Sequence, residues 1–346
     1  MDLRRDVEIV AILAAVVGVL APLSAAAAEN VDEELAAGKW GTKATLGVNM
    51  LQSYYTRNWN GGDKGSIIWN ATLDALAQKQ LGTAWSWQNT ANLAFGQNHQ
   101  QDRDQDGDLS WKRPDKTTDQ IKAESLLRYL PSVLDPYVAV GLESQFLDQT
   151  DPWDRDLAFN PLEIFESIGV SRLLVDRERS TLLARLGFTA RQSFRDVYLA
   201  APPDDLTESV TAGDGGAELA FHSTNRLVAD RVEYEGRLRF YKPFYYTGKA
   251  DLEDLGREAL VDAGLAEDLV DYFLTIDVDF ENTFKANITK VVNVQFHLRW
   301  LYDKYDSTVK PIVEDGTIVN PVAIGSAVRK SGQLKQTMSI GLAYTF

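Results

Sequence analysis

The sequence predicts an all-β protein: a transmembrane, antiparallel, up-and-down β-barrel of 12 strands, with short periplasmic turns and long extracellular loops. Three observations predict this fold. Long segments alternate between apolar and polar residues, short and long connections alternate between these segments, and the last segment is an amphipathic strand that ends at Phe346. Beyond the N-terminal 28 residues no segment is apolar for long enough to form a transmembrane helix, so a helical membrane protein is excluded.

The alternation is clearest in residues 272–288, YFLTIDVDFENTFKANI, where even positions are mostly apolar and odd positions are polar or charged. The same period of two recurs in residues 231–241 and 292–302. Strands of soluble sheets are usually about five or six residues long. These segments instead have the roughly ten residues that a tilted membrane strand needs. The alternation therefore favours membrane strands over a soluble sandwich.

The connections between the predicted strands follow a regular order. The predicted strands are 43–55, 66–80, 83–96, 118–130, 135–147, 162–175, 181–194, 215–226, 230–242, 271–289, 291–304 and 332–346. Connections after strands 2, 4, 6, 8 and 10 are short, whereas those after strands 3, 5, 7, 9 and 11 are long and polar. This asymmetry is typical of bacterial outer-membrane barrels, and an even strand count places both termini in the periplasm. The segment 312–327 contains one candidate extra strand, TIVNPVAI.

Aromatic residues gather at the ends of the predicted strands, as in the two interfacial girdles of membrane barrels. These clusters are Tyr54, Tyr55 and Trp59; Trp85 and Trp87; Phe244, Tyr245 and Tyr246; and Trp300, Tyr302 and Tyr305. The final segment, LKQTMSIGLAYTF, resembles the terminal strand by which outer-membrane proteins are handed to the barrel-assembly machinery. That machinery and outer-membrane lipid are therefore the expected partners.

The N-terminus predicts export. Arg4 and Arg5 precede an apolar run from Ile9 to Leu23, and small residues follow up to Ala28. These features predict a secretory signal peptide, residues 1–28, that is cleaved. A membrane anchor is the alternative, but the apolar run is short for a span. Residues 29–42 then form a periplasmic segment and residues 43–346 the barrel, in the outer membrane of a Gram-negative-type bacterium after export through the inner membrane.

The composition narrows the class of protein. The chain has 50 acidic residues against 35 basic ones, for a net charge of −15. A surface that binds nucleic acid needs a basic stripe, so this composition argues against nucleic-acid binding. No cysteine is present, so neither a disulfide framework nor a lipoprotein anchor can form. The three histidines, His99, His222 and His297, are far apart in the sequence and predict no histidine-rich metal site. The sequence sets no oligomeric state.

Two candidate sites follow from charge patterns. In the loop 102–113, Asp102, Asp104 and Asp106 have the alternating spacing of a calcium loop, with Gly107 at the sharp turn. Arg113 occupies the position where a bidentate glutamate is expected, and a solvated acidic loop is the alternative. No other cofactor is predicted.

The second candidate site is a charge ladder on the polar face of three consecutive strands, which faces the lumen of the predicted barrel. Its members are Glu233, Glu235, Arg237, Arg239, Asp277, Asp279, Glu281, His297 and Arg299. Such a ladder is either a structural network that fills the barrel or a constriction that selects solutes. The default for these barrels is a charge-paired interior, which favours the structural network.

An enzyme is the weakest alternative. His222 and Thr224 share a face in AFHSTN, but nucleophile, base and orienting group are not all identifiable, so the sequence predicts no enzyme. In the connection between strands 9 and 10, leucines at helical spacing predict a short helical insertion near 249–270 that covers or gates the mouth of the barrel.

Residues 57–66, RNWNGGDKGS, contain the glycines and lysine of a phosphate-binding loop but not its order. Lys64 precedes Gly65, and an alternating strand follows instead of a helix. The segment is therefore predicted to be the first hairpin connection, where glycines permit positive φ.

A resemblance to a family rests on this hairpin and the strands after it. The quoted features are NWNGGDKGSIIWNATLDALAQ, WSWQNTANLAFGQ and KRPDKTTDQIKAESLLRY, within residues 43–147. This part resembles an uncharacterised family of bacterial outer-membrane proteins that carries a domain-of-unknown-function label. The resemblance implies an outer-membrane location and transfers no activity and no functional residue.

The predicted barrel and its charged lumen together predict a narrow channel for small solutes. A structural or surface-interaction barrel is the first alternative, and a lipid hydrolase is the second.

Overall fold

Twelve long strands form one closed antiparallel barrel in the computed structural model, which describes residues 38–55, 63–103, 109–151, 153–198, 201–228, 231–289, 291–329 and 331–345. The strands are β1 (Trp40–Ser53), β2 (Ser66–Leu81), β3 (Trp85–Arg103), β4 (Asp115–Tyr129), β5 (Asp135–Ser144), β6 (Leu162–Arg177), β7 (Ser180–Tyr198), β8 (Thr207–Leu227), β9 (Val232–Tyr246), β10 (Asp277–Asn287), β11 (Val292–Tyr302) and β12 (Gln333–Thr345). The predicted signal peptide, the Asn-Trp and Gly-Gly parts of the first hairpin, and Phe346 lie outside the described residues.

Each strand pairs with its neighbours in the sequence, and β12 closes the barrel by pairing with both β11 and β1. Among the described residues, which end at Thr345, the closing seam is short. Four residues of β1, Thr45–Val48, pair with Leu342–Thr345, whereas β1 and β2 are paired along all 14 residues of β1. The predicted all-β, 12-stranded, up-and-down barrel is therefore confirmed.

The connections alternate in length around the barrel. Short turns at one end are 82–84, 130–134, 178–179, 228–231 and 288–291, and longer connections at the other end are 54–65, 104–114, 145–161, 199–206, 247–276 and 303–332. The candidate extra strand in 312–327 is wrong. That segment forms a short hairpin whose two strands, Val313–Glu314 and Thr317–Ile318, have two residues each. A helix that begins at Pro321 follows.

The outward face of the barrel is apolar because side chains alternate between the two faces of each strand. Large outward side chains such as Val48, Ile168, Phe188 and Ile340 are exposed along the middle of the wall. At the short-turn end, the Trp40 and Trp87 rings lie 5.1 Å apart and the Trp85 and Tyr129 rings 5.0 Å apart. At the other end, Trp300 and Tyr302 stack at the end of β11. The outer surface thus has an apolar belt with aromatic residues at both margins.

Two insertions at the long-loop end, 247–276 and 303–332, pack against each other and are called the cap here. Their helices are α1 (Lys249–Asp262), α2 (Leu269–Tyr272) and α3 (Pro321–Ala327). None of the helices in the described part of the chain is long and apolar enough to cross a membrane. The buried core of the cap joins the two insertions to the barrel rim. Its members are Ala212, Tyr246, Leu252, Leu260, Leu269, Tyr272, Phe273, Tyr305, Val309, Ile318, Ile324 and Ala327.

The cap changes two of the sequence predictions. Strand β10 begins at Asp277 and not near 271, because Leu269, Tyr272 and Phe273 turn into the core of the cap. Tyr246 and Tyr305 were expected in an aromatic girdle, but each is only 3% exposed. Alternation and aromatic content do not distinguish a lipid interface from the core of a small helical insertion.

A Tyr305→Phe substitution is expected to loosen the cap. The Val309 carbonyl accepts hydrogen bonds from the Tyr246 hydroxyl at 3.0 Å and from the Tyr305 hydroxyl at 2.6 Å. Burial raises the pKa of Tyr305, which keeps the hydroxyl protonated as a donor. Loss of the Tyr305 bond should lower the free energy of local opening by about 0.5–1.5 kcal/mol. Hydrogen exchange of amides in 303–332 measures this, with Tyr302→Phe as the control that should leave exchange unchanged.

Candidate functional site: the charged lumen

Three adjacent cavities lie in the lumen and are lined by the inward side chains of the strands. The central cavity has a volume of about 170 Å³, the one beside β1 and β12 (the seam-side cavity) about 150 Å³, and the one under the cap (the cap-side cavity) about 120 Å³. Arg237 and Glu281 line both the central and seam-side cavities. Glu143, Arg239 and Asp279 line both the central and cap-side cavities. Charged side chains therefore lie at both boundaries between cavities.

Eight of the nine residues in the predicted charge ladder line these cavities. The ninth, Glu233, accepts a hydrogen bond from Asn287 at 3.1 Å near the short-turn end. The strand register places Arg237 opposite Glu281 and Arg239 opposite Asp279, but it places Asp277 opposite Tyr241. The ladder predicted from alternation thus lies in the lumen, with a register that leaves some members without a charged partner directly opposite.

The closest ion pairs of the ladder do not join the residues that lie directly opposite each other on neighbouring strands. Arg299 makes two hydrogen bonds to Asp279, of 2.9 and 2.7 Å, from the neighbouring strand β11. Arg237 donates to Glu235 on its own strand at 2.7 Å, and Glu235 also contacts His222 at 3.1 Å. Two of the strongest pairs are therefore not the ones directly opposite in the sheet.

Two further ion pairs cross the lumen between strands that are not neighbours, and they are called the transverse pairs here. Arg185 on β7 contacts both carboxylate oxygens of Glu124 on β4 at 3.0 Å. Arg191 on β7 contacts Asp277 on β10 at 3.3 Å, and it also forms an ion pair with Asp214 on the neighbouring strand β8 at 2.8 Å. The β4 and β7 residues were not among the predicted ladder, although both segments carry charges at alternate positions. A period of two would have placed them on the inward face.

The cap contributes polar groups to the top of the lumen. Thr308 accepts a hydrogen bond from Arg195 at 3.1 Å, and Asp303 and Asp306 line the cap-side cavity. Burial raises the pKa of Asp303 well above its usual range, and the neighbouring Asp277 and Asp306 raise it further. Protonation of Asp303 is therefore favoured relative to that of an exposed aspartate.

The residues of the hydrolase alternative do not form a nucleophile–base pair at His222. Thr224 Oγ1 lies 2.6 Å from Thr181 Oγ1, and the contact of the His222 ring is with Glu235. The histidine that contacts a hydroxyl is His297, whose Nδ1 lies 3.2 Å from Thr283 Oγ1 across β10 and β11. This is an ordinary cross-strand polar contact between inward-facing residues.

The candidate calcium loop is described only in part. Asp102 forms ion pairs with Lys64 and, at 2.8 Å, with Lys112, whereas Asp104 and Asp106 lie outside the described residues. Arg113 forms an ion pair with Asp156 at 2.5 Å. Across the described part of the chain, no three histidine or acidic residues are arranged to hold a metal ion. Calcium binding by the 102–113 loop stays a prediction.

One part of the wall is shaped by two glycines. Tyr137 on β5 lies opposite Gly169 on β6, which lies opposite Gly187 on β7, which in turn lies opposite Glu218 on β8. A Cβ on Gly187 would meet the Tyr137 hydroxyl at 2.7 Å, so only glycine lets the ring reach across this wall. Glu218 consequently has no side chain opposite it on β7.

Comparison with known proteins gives a partial match. Residues 50–149 match the family described as "Protein of unknown function (DUF3078)", a stretch of less than a third of the chain. No curated protein matches.

Solved structures give weaker similarities. The β domain of the Bordetella autotransporter Brka has 9% identity over 89% of this chain and 98% of that chain, with a TM-score of 0.31. The translocator domain of the autotransporter NalP from Neisseria meningitidis has 9% identity over 96% and 97%, with a TM-score of 0.36. The NanC porin has 9% identity over 87% and 98%, with a TM-score of 0.32. The fold of this chain therefore rests on its own strand pairing.

Proposed function

We propose that this protein is an integral outer-membrane β-barrel that provides a narrow route for small hydrophilic solutes and favours cations. The observation that carries the proposal is the contrast between the apolar belt outside and the adjacent, charged cavities inside. Outer-membrane lipid and the barrel-assembly machinery are the partners that go with it.

The outer belt supports a membrane location. Monomeric soluble proteins rarely expose contiguous apolar patches larger than a few hundred Å², yet large apolar side chains stay exposed along the outside of successive strands. A closed barrel satisfies its backbone hydrogen bonds between strands, which is what a chain in hydrocarbon requires. The apolar belt is therefore stable when it faces lipid.

The size of the lumen limits what can pass. A cavity of about 170 Å³ accommodates on the order of ten water molecules, since each needs roughly 10–15 Å³ by the same measure. The transverse pairs and the cap narrow the route further. Passage is therefore limited to small solutes.

The charge of the lumen favours cations. Eleven carboxyl groups line the three cavities, against seven lysines and arginines. An excess of one sign in a narrow, low-dielectric route attracts the opposite ion.

Planar-bilayer recording tests the proposal. Purified barrel should give small discrete conductance steps, and a KCl gradient across the bilayer should give a reversal potential of the sign expected for cation selectivity. Retained heat-modifiable migration on a mild detergent gel is the check that the sample is folded. Folded protein that gives no steps, or steps selective for anions, would contradict the proposal.

A further inference from the structure

We infer that the central cavity is a binding site for a small zwitterion, a molecule with one carboxylate and one ammonium group about the size of alanine. The inference deepens the proposed function by naming a solute class, and it rests on that function only for access to the lumen. It follows from two charged side chains, Arg239 and Glu218, that line this cavity without a direct partner.

Arg239 forms no close ion pair, although carboxylates lie near it. Its opposite neighbour on β10 is Asp279, but both oxygens of that carboxylate accept hydrogen bonds from Arg299. Its opposite neighbour on β8 is Ala220. Among the described residues, no hydrogen bond or ion pair within 4.0 Å involves Arg239. The guanidinium therefore keeps its donors for a group inside the cavity.

Glu218, which carries the opposite charge, also forms no close ion pair. Its neighbours across the sheet are Gly187, which has no side chain, and Tyr241, whose hydroxyl donates to Asp214 at 2.5 Å. Glu218 is 6% exposed, and no hydrogen bond to another described residue satisfies its carboxylate. Its carboxylate lines the cavity, so a charged donor that enters the cavity can pair with Glu218.

The two groups are close enough to bind one molecule together. Glu218 lies opposite Tyr241, two residues along β9 from Arg239, so the two are diagonal neighbours across the β8–β9 pair. They remain farther apart than an ion pair, and both line the central cavity. A ligand with charged groups at its two ends bridges such a gap.

The cavity is lined by both signs of charge, four lysines and arginines and five carboxyl groups, which favours a ligand that carries both signs. An anion bound to Arg239 alone would lie near three carboxylates, Glu143, Glu218 and Asp279, which line the same cavity. A cation bound to Glu218 alone would leave Arg239 without an acceptor. A zwitterion places its carboxylate on Arg239 and its ammonium group beside Glu218, so both side chains are satisfied at once.

The volume and the apolar part of the wall set the size of the ligand. The cavity measures about 170 Å³, and a protein cavity of roughly 150 Å³ holds benzene, a molecule of six heavy atoms. Leu126, Phe165 and Leu183 supply an apolar wall that suits a methyl group. Alanine fits this volume and these surfaces.

Calorimetric titration of the detergent-purified barrel tests the inference, with alanine as the probe and acetate and methylammonium as probes of one charge each. Alanine should bind, and its affinity should fall about tenfold or more in Arg239→Gln and in Glu218→Gln. The matched controls, Arg257→Gln and Glu258→Gln on the exposed surface of α1, should bind alanine like the unmodified protein. Heat-modifiable migration of each variant shows that it is folded.

Three results would overturn the inference: no alanine binding by the folded protein, equal alanine binding by the luminal variants and the controls, or acetate binding as tight as that of alanine. The bilayer result is independent of these. Alanine binding without conductance would remove the proposed route and leave the binding site in place. Conductance without alanine binding would support the proposed route and remove the binding site.

Discussion

An Arg191→Ala variant is expected to lose about 3–5 kcal/mol of its free energy of unfolding, because removal of one partner leaves buried charges uncompensated. The guanidinium contacts Asp214, whose side chain is 3% exposed, and reaches across the lumen to Asp277. It also lies 4.1 Å from the centre of the Tyr241 ring. The loss should appear as a lower midpoint when the barrel is unfolded with denaturant in lipid vesicles.

Arg172→Ala is the matched control for this prediction. Arg172 is exposed and donates to the backbone carbonyl of Val133, so its removal should change the free energy of unfolding by less than about 1 kcal/mol. Combining Arg191→Ala with Asp214→Asn should restore part of the loss, since the two residues are coupled. Equal losses in Arg191→Ala and Arg172→Ala would show that the transverse pair does not hold the walls together.

A Leu186→Arg variant is expected to lose about 2–4 kcal/mol, the cost of a lipid-facing arginine at the middle of a membrane barrel. Leu186 lies on the outward face of β7, opposite Val170 and Leu219. It is 57% exposed. In water such a residue tolerates arginine, so the predicted cost comes from lipid alone.

Leu206→Arg is the control, because Leu206 has nearly the same exposure, 59%, but lies in the loop before β8. The same substitution there should cost about 0–1 kcal/mol. Unfolding in lipid vesicles gives both values. If the two variants were equally stable, the belt would not lie in lipid and the membrane location would be wrong.

The fold could be predicted because one physical requirement acts on every strand. A barrel wall with lipid outside and a polar lumen inside forces a period of two along each strand. The short-turn ends were located to within a few residues, for instance 66–80 against Ser66–Leu81. The prediction failed where another apolar environment was present, as at Tyr246 and Tyr305, because the core of the cap selects the same residue types as lipid.

For the candidate site, the sequence predicted which residues face the lumen but not which of them pair with each other. Alternation placed Arg239 and Asp279 inward, and the register brings them opposite each other. It did not show that Asp279 pairs with Arg299, because that choice depends on side-chain conformation. It also did not show that β7 reaches β4 and β10, because contact across a lumen depends on the cross-section of the closed barrel and not on sequence spacing.

The short closing seam has a consequence for how the barrel forms and opens. The Thr45 and Thr345 hydroxyls lie 2.9 Å apart across the seam, although 300 positions separate them in the chain. Hairpins between consecutive strands form early because their contacts are local, whereas this contact requires the whole chain to be in place. With four described residues paired on each side, the β1–β12 seam is expected to form last during folding. We also expect the folded wall to separate first along this seam, next to the seam-side cavity that Asn49 and Lys335 line.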